Sequence, residues 1–74
     1  MIRTGIIEGA GFTGGELIRL LLNHPDVHLI FITGRGNSGQ YIHEVHRGLY
    51  GETDLQFAEE PELDKIDLLF LCTD

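Results

Sequence analysis

The stretch IIEGAGFTGGEL, residues 6–17, decides the fold, because four glycines crowd into it directly after an apolar run. Gly9, Gly11 and Gly14 form the pattern G-x-G-x-x-G between a predicted strand and a predicted helix. In that setting the first glycine permits a tight turn, the second lets a pyrophosphate approach the backbone, and the third lets helix and strand pack closely. Free N–H groups and the dipole at the helix start favour an anion. The pattern predicts a dinucleotide-binding loop; the alternative is a tight turn that binds no ligand.

Hydrophobic patterning predicts alternating strands and helices around this loop. The predicted strands are 2–8, 27–33, 54–58 and 67–73, and the predicted helical segments are 14–23 and 41–51. This alternation indicates βαβ units and a mainly parallel sheet, with the second and last strands on opposite sides of the first. The expected fold is therefore α/β, a partial Rossmann-like, doubly wound sheet. Since no helix follows the last strand, we expect residues 1–74 to be the N-terminal part of a larger NAD(P)-binding domain.

The long predicted helix carries its own boundary signals. Thr13 precedes Glu16 by three residues, which is the spacing of a capping box. Pro25 sets the end, because the residue before a proline is pushed out of helical geometry. A leucine-rich face that includes Leu20 is expected to meet the core.

Composition excludes several classes of function. The net charge is −7 and only five basic residues are present, scattered along the chain, so nucleic-acid binding is not expected. No apolar run approaches the ~20 residues that span a bilayer, so no membrane partner is expected. The N-terminus lacks the features of a signal peptide. The single cysteine, Cys72, cannot form an internal disulfide, which favours a cytoplasmic location.

The end of the second predicted strand determines which dinucleotide we expect. NAD-binding domains usually place Asp or Glu about 20 residues past the loop, where it holds the ribose 2′-hydroxyl. Here residues 32–38 read ITGRGNS and contain no acid. Arg35 is well placed to meet a 2′-phosphate, with Thr33 and Ser38 as hydroxyl donors. NADP is therefore the expected cofactor; the alternative is a solvated arginine in a flexible loop.

Three segments together carry a family resemblance. They are GAGFTGGELIRLLLNHPDV at 9–27, ITGRGNSG at 32–39 and VHRGLYG at 45–51. They resemble the N-terminal segment of N-acetyl-γ-glutamyl-phosphate reductase, which follows its first strand with G-A-S/T-G-Y-S/T-G and later has V-H-x-x-L-x-G. The resemblance covers essentially the whole chain. The related aspartate-semialdehyde dehydrogenases share the nucleotide loop but not the later segments.

The resemblance implies an enzyme of arginine biosynthesis. Such an enzyme uses NADPH to reduce N-acetyl-γ-glutamyl phosphate to the semialdehyde with release of phosphate. A cysteine thiolate takes the acyl group as a thioester, which divides one difficult displacement into two easier steps, and a histidine is the acid/base. The resemblance puts both groups beyond residue 74, so no catalytic residue is expected here. It also implies a homo-oligomeric full-length enzyme. The alternatives are an aspartate-type semialdehyde dehydrogenase and a stand-alone nucleotide-binding module without catalysis.

The resemblance also assigns residues to the cofactor. The expected contacts, with the first glycine of the loop included, are Gly9, Gly11, Phe12, Thr13, Gly14, Thr33, Arg35, Ser38 and Thr73. Phe12 replaces the commoner tyrosine, which removes a hydroxyl and keeps the ring.

Glu8 departs from the family, which has glycine at this position. At ~6 Å from a phosphate charge, with an effective dielectric constant of ~20, a carboxylate repels it by roughly 3 kcal/mol before screening. We expect Glu8 to weaken cofactor binding, unless its side chain points into solvent.

The histidines do not indicate a metal site. His43 and His46 have a spacing that could put two imidazoles on one helical face, but zinc needs three or four ligands. In the family the counterpart of His46 is interpreted as a residue that fixes a loop. Cys72 is expected to act as a small apolar residue and not as a nucleophile.

Overall fold

The computed structural model describes residues 1–72 and contains a three-stranded parallel sheet. The strands are Ile2–Ile7 (β1), Val27–Ile32 (β2) and Leu68–Leu71 (β3), and the helices are Phe12–Leu22 (α1) and Ile42–Val45 (α2). Short 3₁₀ turns occupy Arg47–Leu49 and Leu63–Lys65. The strand order is β2-β1-β3 with both pairings parallel, which confirms the predicted partial Rossmann-like fold. None of the helices within residues 1–72 has the length and apolar character needed to cross a bilayer.

The β1–β2 pairing contains an irregularity beside a glycine. Thr4 pairs with Leu29, but the next residue, Gly5, pairs with Phe31, so Ile30 is the extra residue of a bulge. The ring of Phe31 lies against the Gly5 backbone, where an added Cβ would be 2.4 Å from ring carbons. Only glycine at position 5 allows this approach of ring to strand.

One buried cluster joins β1, α1, β2 and the segment 41–58, and Phe70 of β3 packs against it. Its members share burial and come from β1, α1, β2, α2 and the chain around them. They are Ile6, Ile18, Leu29, Ile32, Ile42, Leu49 and Phe57. The segment 41–58 is therefore part of the core, and the helical turn predicted at 41–51 is confirmed as α2 and the first 3₁₀ turn.

The start of α1 differs from the prediction. The helix begins at Phe12, and its N-cap is Gly11, which has extended backbone angles and no side-chain cap. Thr13 therefore already lies within the first turn, where it is past the capping position. The predicted capping box is wrong, and Glu16 instead pairs with Arg19 at 2.8 Å.

The buried face of α1 matches the expected leucine-rich face except at Leu20. Gly14 and Ile18, four residues apart, are the buried positions of the helix. Leu20 is 58% exposed. Gly14 lies against the backbone of Gly9, and Leu17, Leu21 and Leu22 are partly buried and pack against the core around Ile18.

The edge strand predicted at 54–58 does not form. Two isolated bridges replace it: Gln56 pairs antiparallel with Tyr41, and Ala58 pairs parallel with Thr33. The two bridges go to different partners. Residues 54–58 therefore pass from one partner to the other, and neither bridge continues into a ladder of paired residues.

β3 is shorter and more exposed than the buried strand predicted at 67–73. It pairs with β1 alone, and Leu68 and Leu71 are 43% and 65% exposed. The predicted residue Thr73 lies outside the described residues.

A clamp joins the beginnings of β1 and β3. The backbone N–H, Nε and Nη2 of Arg3 donate to the Asp67 carboxylate at 3.1, 3.1 and 2.9 Å. The N–H of Asp67 donates in return to the Arg3 carbonyl at 2.7 Å. Hydrogen bonds from the guanidinium and the backbone lower the pKa of Asp67 to about 2.

Candidate functional site

At Gly9 and Gly14, the packing of the loop between β1 and α1 leaves no room for a side chain. A Cβ on Gly14 would lie 2.5 Å from the carbonyl oxygen of Gly9 and 2.6 Å from its carbonyl carbon. A Cβ on Gly9 would lie 2.5 Å from a methyl carbon of Ile32 on β2. The first and third glycines of the motif thus pack against each other, and the helix begins directly on the backbone of the turn. This is the close packing that the motif predicts.

The outer side of the same loop is open. Gly11, Phe12 and Thr13 are exposed at the beginning of α1. The first four N–H groups of a helix have no partner inside it, so this opening suits an anion such as a pyrophosphate. Gly11 has φ −79° and ψ 179°, which any residue adopts, so its backbone conformation does not require glycine.

His46 holds the loop from the other half of the chain. Its Nε2 lies 2.7 Å from the carbonyl oxygen of Gly9, and because a carbonyl only accepts, Nε2 donates. The ring also covers Gly15, where an added Cβ would be 2.6 Å from Nδ1. The interpretation of His46 as a loop-fixing residue is confirmed.

Thr33 holds the loop from β2. Its carbonyl accepts the N–H of Gly9 at 2.8 Å, and its hydroxyl accepts the N–H of Glu8 at 3.2 Å. Its own N–H donates to the carbonyl of Ile6. Thr33 is buried, so it positions the loop as well as lining the pocket beyond it. Sequence reasoning treated Thr33 only as a ligand contact.

An open pocket of about 390 Å³ lies where β2 ends. Its lining residues are Glu8, Thr33, Gly34, Arg35, Gly36, Ser38 and Glu59. The structure thus brings together the three residues predicted to meet a 2′-phosphate and adds two carboxylates. Arg35 is exposed and makes no hydrogen bond or ion pair with any residue from 1 to 72.

Of the cofactor contacts predicted at the helix start, one lines a different pocket. Phe12 belongs to a smaller pocket of about 210 Å³ together with Gly15, His46 and Arg47. The two pockets share no lining residue.

Glu8 has an unusual backbone. Its φ is +65°, and it is the one non-glycine residue among 1–72 with a positive φ. This left-handed conformation disfavours residues that carry a Cβ by about 1–2 kcal/mol, which explains why glycine is expected here. The hydrogen bond from its N–H to Thr33 helps to hold the conformation.

The other titratable side chains do not assemble a metal site. Across residues 1–72, no group of three or more His, Cys, Asp or Glu side chains could hold an ion. His43 stacks on Tyr41 with ring centroids 5.2 Å apart and meets Tyr50 edge-on at 5.1 Å. Cys72 packs against the core.

The parallel βαβ unit, the glycine turn packed beneath the helix start and the pocket at the end of β2 define a dinucleotide-binding domain of the Rossmann type. A family model described as "Semialdehyde dehydrogenase, NAD binding domain" matches residues 3–74. The chain belongs to this family, whose cofactor is a nicotinamide dinucleotide.

Curated relatives are similar over nearly the whole chain. Proteins named N-acetyl-gamma-glutamyl-phosphate reductase are 66% identical in Parabacteroides distasonis, 63% in Phocaeicola vulgatus and 60% in Bacteroides thetaiotaomicron, each over 73 residues. The alignments cover 99% of this chain and 23% of each relative. The chain therefore spans less than a quarter of the length of the relatives it matches.

Proposed function

We propose that residues 1–74 are the NADPH-binding part of an enzyme that reduces N-acetyl-γ-glutamyl phosphate to N-acetyl-glutamate semialdehyde in arginine biosynthesis. In this proposal the acyl phosphate binds to a substrate domain outside residues 1–74, which also carries the catalytic groups. A cytoplasmic location and a homo-oligomeric enzyme belong to the same proposal.

The packing of Gly14 on Gly9 is the observation that carries the cofactor role. The loop leaves no room for a side chain at either position, while the helix start above it stays open. A bound nicotinamide dinucleotide would place its pyrophosphate at that helix start. It would also supply the hydride for the reduction. Gly9, Gly11, Phe12, Thr13 and Gly14 would hold the pyrophosphate.

Arg35 supports NADP over NAD. It is the one basic residue among those that line the larger pocket, and no carboxylate within residues 1–72 pairs with it. A guanidinium in that state is available to a 2′-phosphate, to which it can donate two parallel hydrogen bonds. Thr33 and Ser38 line the same pocket and would add hydroxyl contacts.

The reductase is favoured over an aspartate-type semialdehyde dehydrogenase by the segment at 45–51. This segment supplies His46, which bonds to the nucleotide loop. The relatives named as reductases share 60–66% identity with the chain. A stand-alone nucleotide-binding module remains the alternative from a different class, and it predicts cofactor binding without any acyl phosphate reduction.

The test is a titration of the full-length protein that carries residues 1–74 with NADPH and NADH, followed by cofactor fluorescence. We expect tighter binding of NADPH, and we expect Arg35→Ala to remove that preference. Lys65→Ala is the matched control, because it removes a positive charge that lies outside the pocket and is already paired with Glu62. An unchanged preference in Arg35→Ala would contradict the NADP assignment, and failure to reduce the acyl phosphate would favour the binding module.

A further inference from the structure

We propose that Glu8 is a specificity-determining residue that lowers the preference of this site for a 2′-phosphate over a 2′-hydroxyl, so that NAD(H) is accepted alongside NADP(H). The proposal rests on the proposed function, because it assumes that the adenosine ribose lies in the pocket that holds Arg35. It concerns a residue that departs from the glycine expected at this position.

Hydrogen bonds to Thr33 hold the backbone of Glu8 in place. Its N–H donates to the Thr33 hydroxyl at 3.2 Å, and the next residue, Gly9, donates to the Thr33 carbonyl at 2.8 Å. Thr33 is itself buried and bonded to Ile6. The left-handed φ of +65° is thus fixed by the surrounding hydrogen bonds. Because the Cα is fixed, the side chain begins at one defined point on the pocket wall.

More acidic than basic residues line this pocket, and this excess of negative charge does not favour a phosphate. Glu8 and Glu59 contribute two carboxylates, and Arg35 contributes the single guanidinium. None of the three side chains forms an ion pair with another residue in the stretch from 1 to 72. A 2′-phosphate carries about −1.5 to −2 charges, as phosphate monoesters do near neutral pH, so two carboxylates offset much of the attraction of one arginine.

A ribose hydroxyl, unlike a phosphate, interacts favourably with a carboxylate. A carboxylate is an acceptor with two oxygens, and it accepts hydrogen bonds from hydroxyl groups. This is the role that an acidic residue at the end of the second strand has in NAD-binding domains. Residues 32–38 contain no such acid. Glu8 supplies one at the end of the adjacent strand β1, on the wall of the same pocket.

Glu8→Gln tests the charge without altering the backbone. Glutamine keeps the length of the side chain and the strain of the positive φ, so only the charge changes. In the full-length protein we expect the dissociation constant for NADPH to fall roughly tenfold and that for NADH to stay the same or rise. The NADPH effect should shrink at high salt, because salt screens exposed charges. Glu52→Gln, at an exposed position outside the pocket, is the control and should change neither constant.

Glu8→Gly provides a second variant that relieves the strained backbone, and it should shift the ratio of the two constants in the same direction. An unchanged ratio in both variants would overturn the proposal. The variant Arg35→Ala distinguishes a failure of this proposal from a failure of the proposed function. If it removes the NADPH preference while the Glu8 variants leave the ratio unchanged, the role of Glu8 is wrong and the NADP site stands. If Arg35→Ala has no effect, the proposed function itself is wrong at this pocket.

Discussion

His46 Nε2 and the carbonyl oxygen of Gly9 are 2.7 Å apart, although 37 positions separate the two residues in the chain. A side chain from the 45–51 segment therefore bonds to the loop that connects β1 to α1. The same ring covers Gly15, so the glycine that follows the motif also has a packing reason.

Replacement of His46 should weaken cofactor binding. His46→Ala removes the donor to Gly9, and we expect the dissociation constant for NADPH to rise up to about tenfold, because a hydrogen bond contributes roughly 0.5–1.5 kcal/mol. His46→Gln keeps an N–H donor and should recover part of the affinity. Fluorescence titration of both variants tests this. Equal affinity in wild type and His46→Ala would show that the loop keeps its shape without the bond.

A methyl group at Gly14 should destabilise the fold. The Cβ of Gly14→Ala would lie 2.5 Å from the Gly9 carbonyl oxygen, and backbone atoms cannot turn aside as a side chain can. We expect the free energy of unfolding to fall by about 1–3 kcal/mol, as overpacked sites do, with loss of cofactor binding. Gly48→Ala is the control, since nothing lies within 4 Å of its Cβ position. Denaturant unfolding should place Gly48→Ala within about 0.5 kcal/mol of wild type.

The strain at Glu8 should be measurable apart from its charge. Glu8→Gly relieves the positive φ and should raise the free energy of unfolding by about 1 kcal/mol, whereas Glu8→Ala keeps a Cβ at φ +65° and should not. Denaturant unfolding without cofactor measures both variants. Similar stability of the glycine and alanine variants would mean that the loop absorbs the strain.

The Arg3–Asp67 clamp should make stability depend on acid pH. The pKa of Asp67 is lowered to about 2 in the folded chain, from an ordinary value near 3.8. A lowered folded-state pKa stabilises the fold above the ordinary value, and this stabilisation disappears as the pH falls from about 4 to about 2. Wild type should therefore lose more stability over this range than Asp67→Asn, which lacks the titrating group.

A double-mutant cycle assigns that effect to the pair. Arg3→Met and Asp67→Asn should be non-additive in thermal unfolding at pH 7, and the double variant should resemble either single variant. Both side chains are about half exposed, so we expect the midpoint to shift by only a few degrees. Strict additivity would show that the two residues act separately.

The fold was predictable because its signals are local. The glycine spacing, the apolar strands and the proline after α1 predict a βαβ unit, and the strand order follows from the handedness of crossovers. The boundaries were less predictable. A capping box at Thr13 looked sound, but the helix begins at Phe12 with Gly11 as its N-cap, because the approach of Gly14 to Gly9 fixes where α1 meets the turn.

The candidate site was only partly predictable because its remaining parts are long-range. Arg35 and Ser38 follow from their position after β2, but Glu59 joins their pocket through the bridge between Thr33 and Ala58. No spacing rule connects residues 33 and 58. The positive φ of Glu8 could have been predicted from the sequence. The family has glycine at this position, and glycine is the residue that favours a positive φ.

The clamp between Arg3 and Asp67 also has a consequence for the order of folding. The two residues are 64 positions apart, whereas β1 and β2 are joined by a single helical crossover. The entropy lost on closing a loop increases with its length, and distant contacts slow folding. We expect β1, α1 and β2 to associate first, with β1 presenting one open edge until β3 arrives. During synthesis β1 is made before β2 and β3 and pairs with β3 last, so one edge of β1 stays unpaired until β3 has been made.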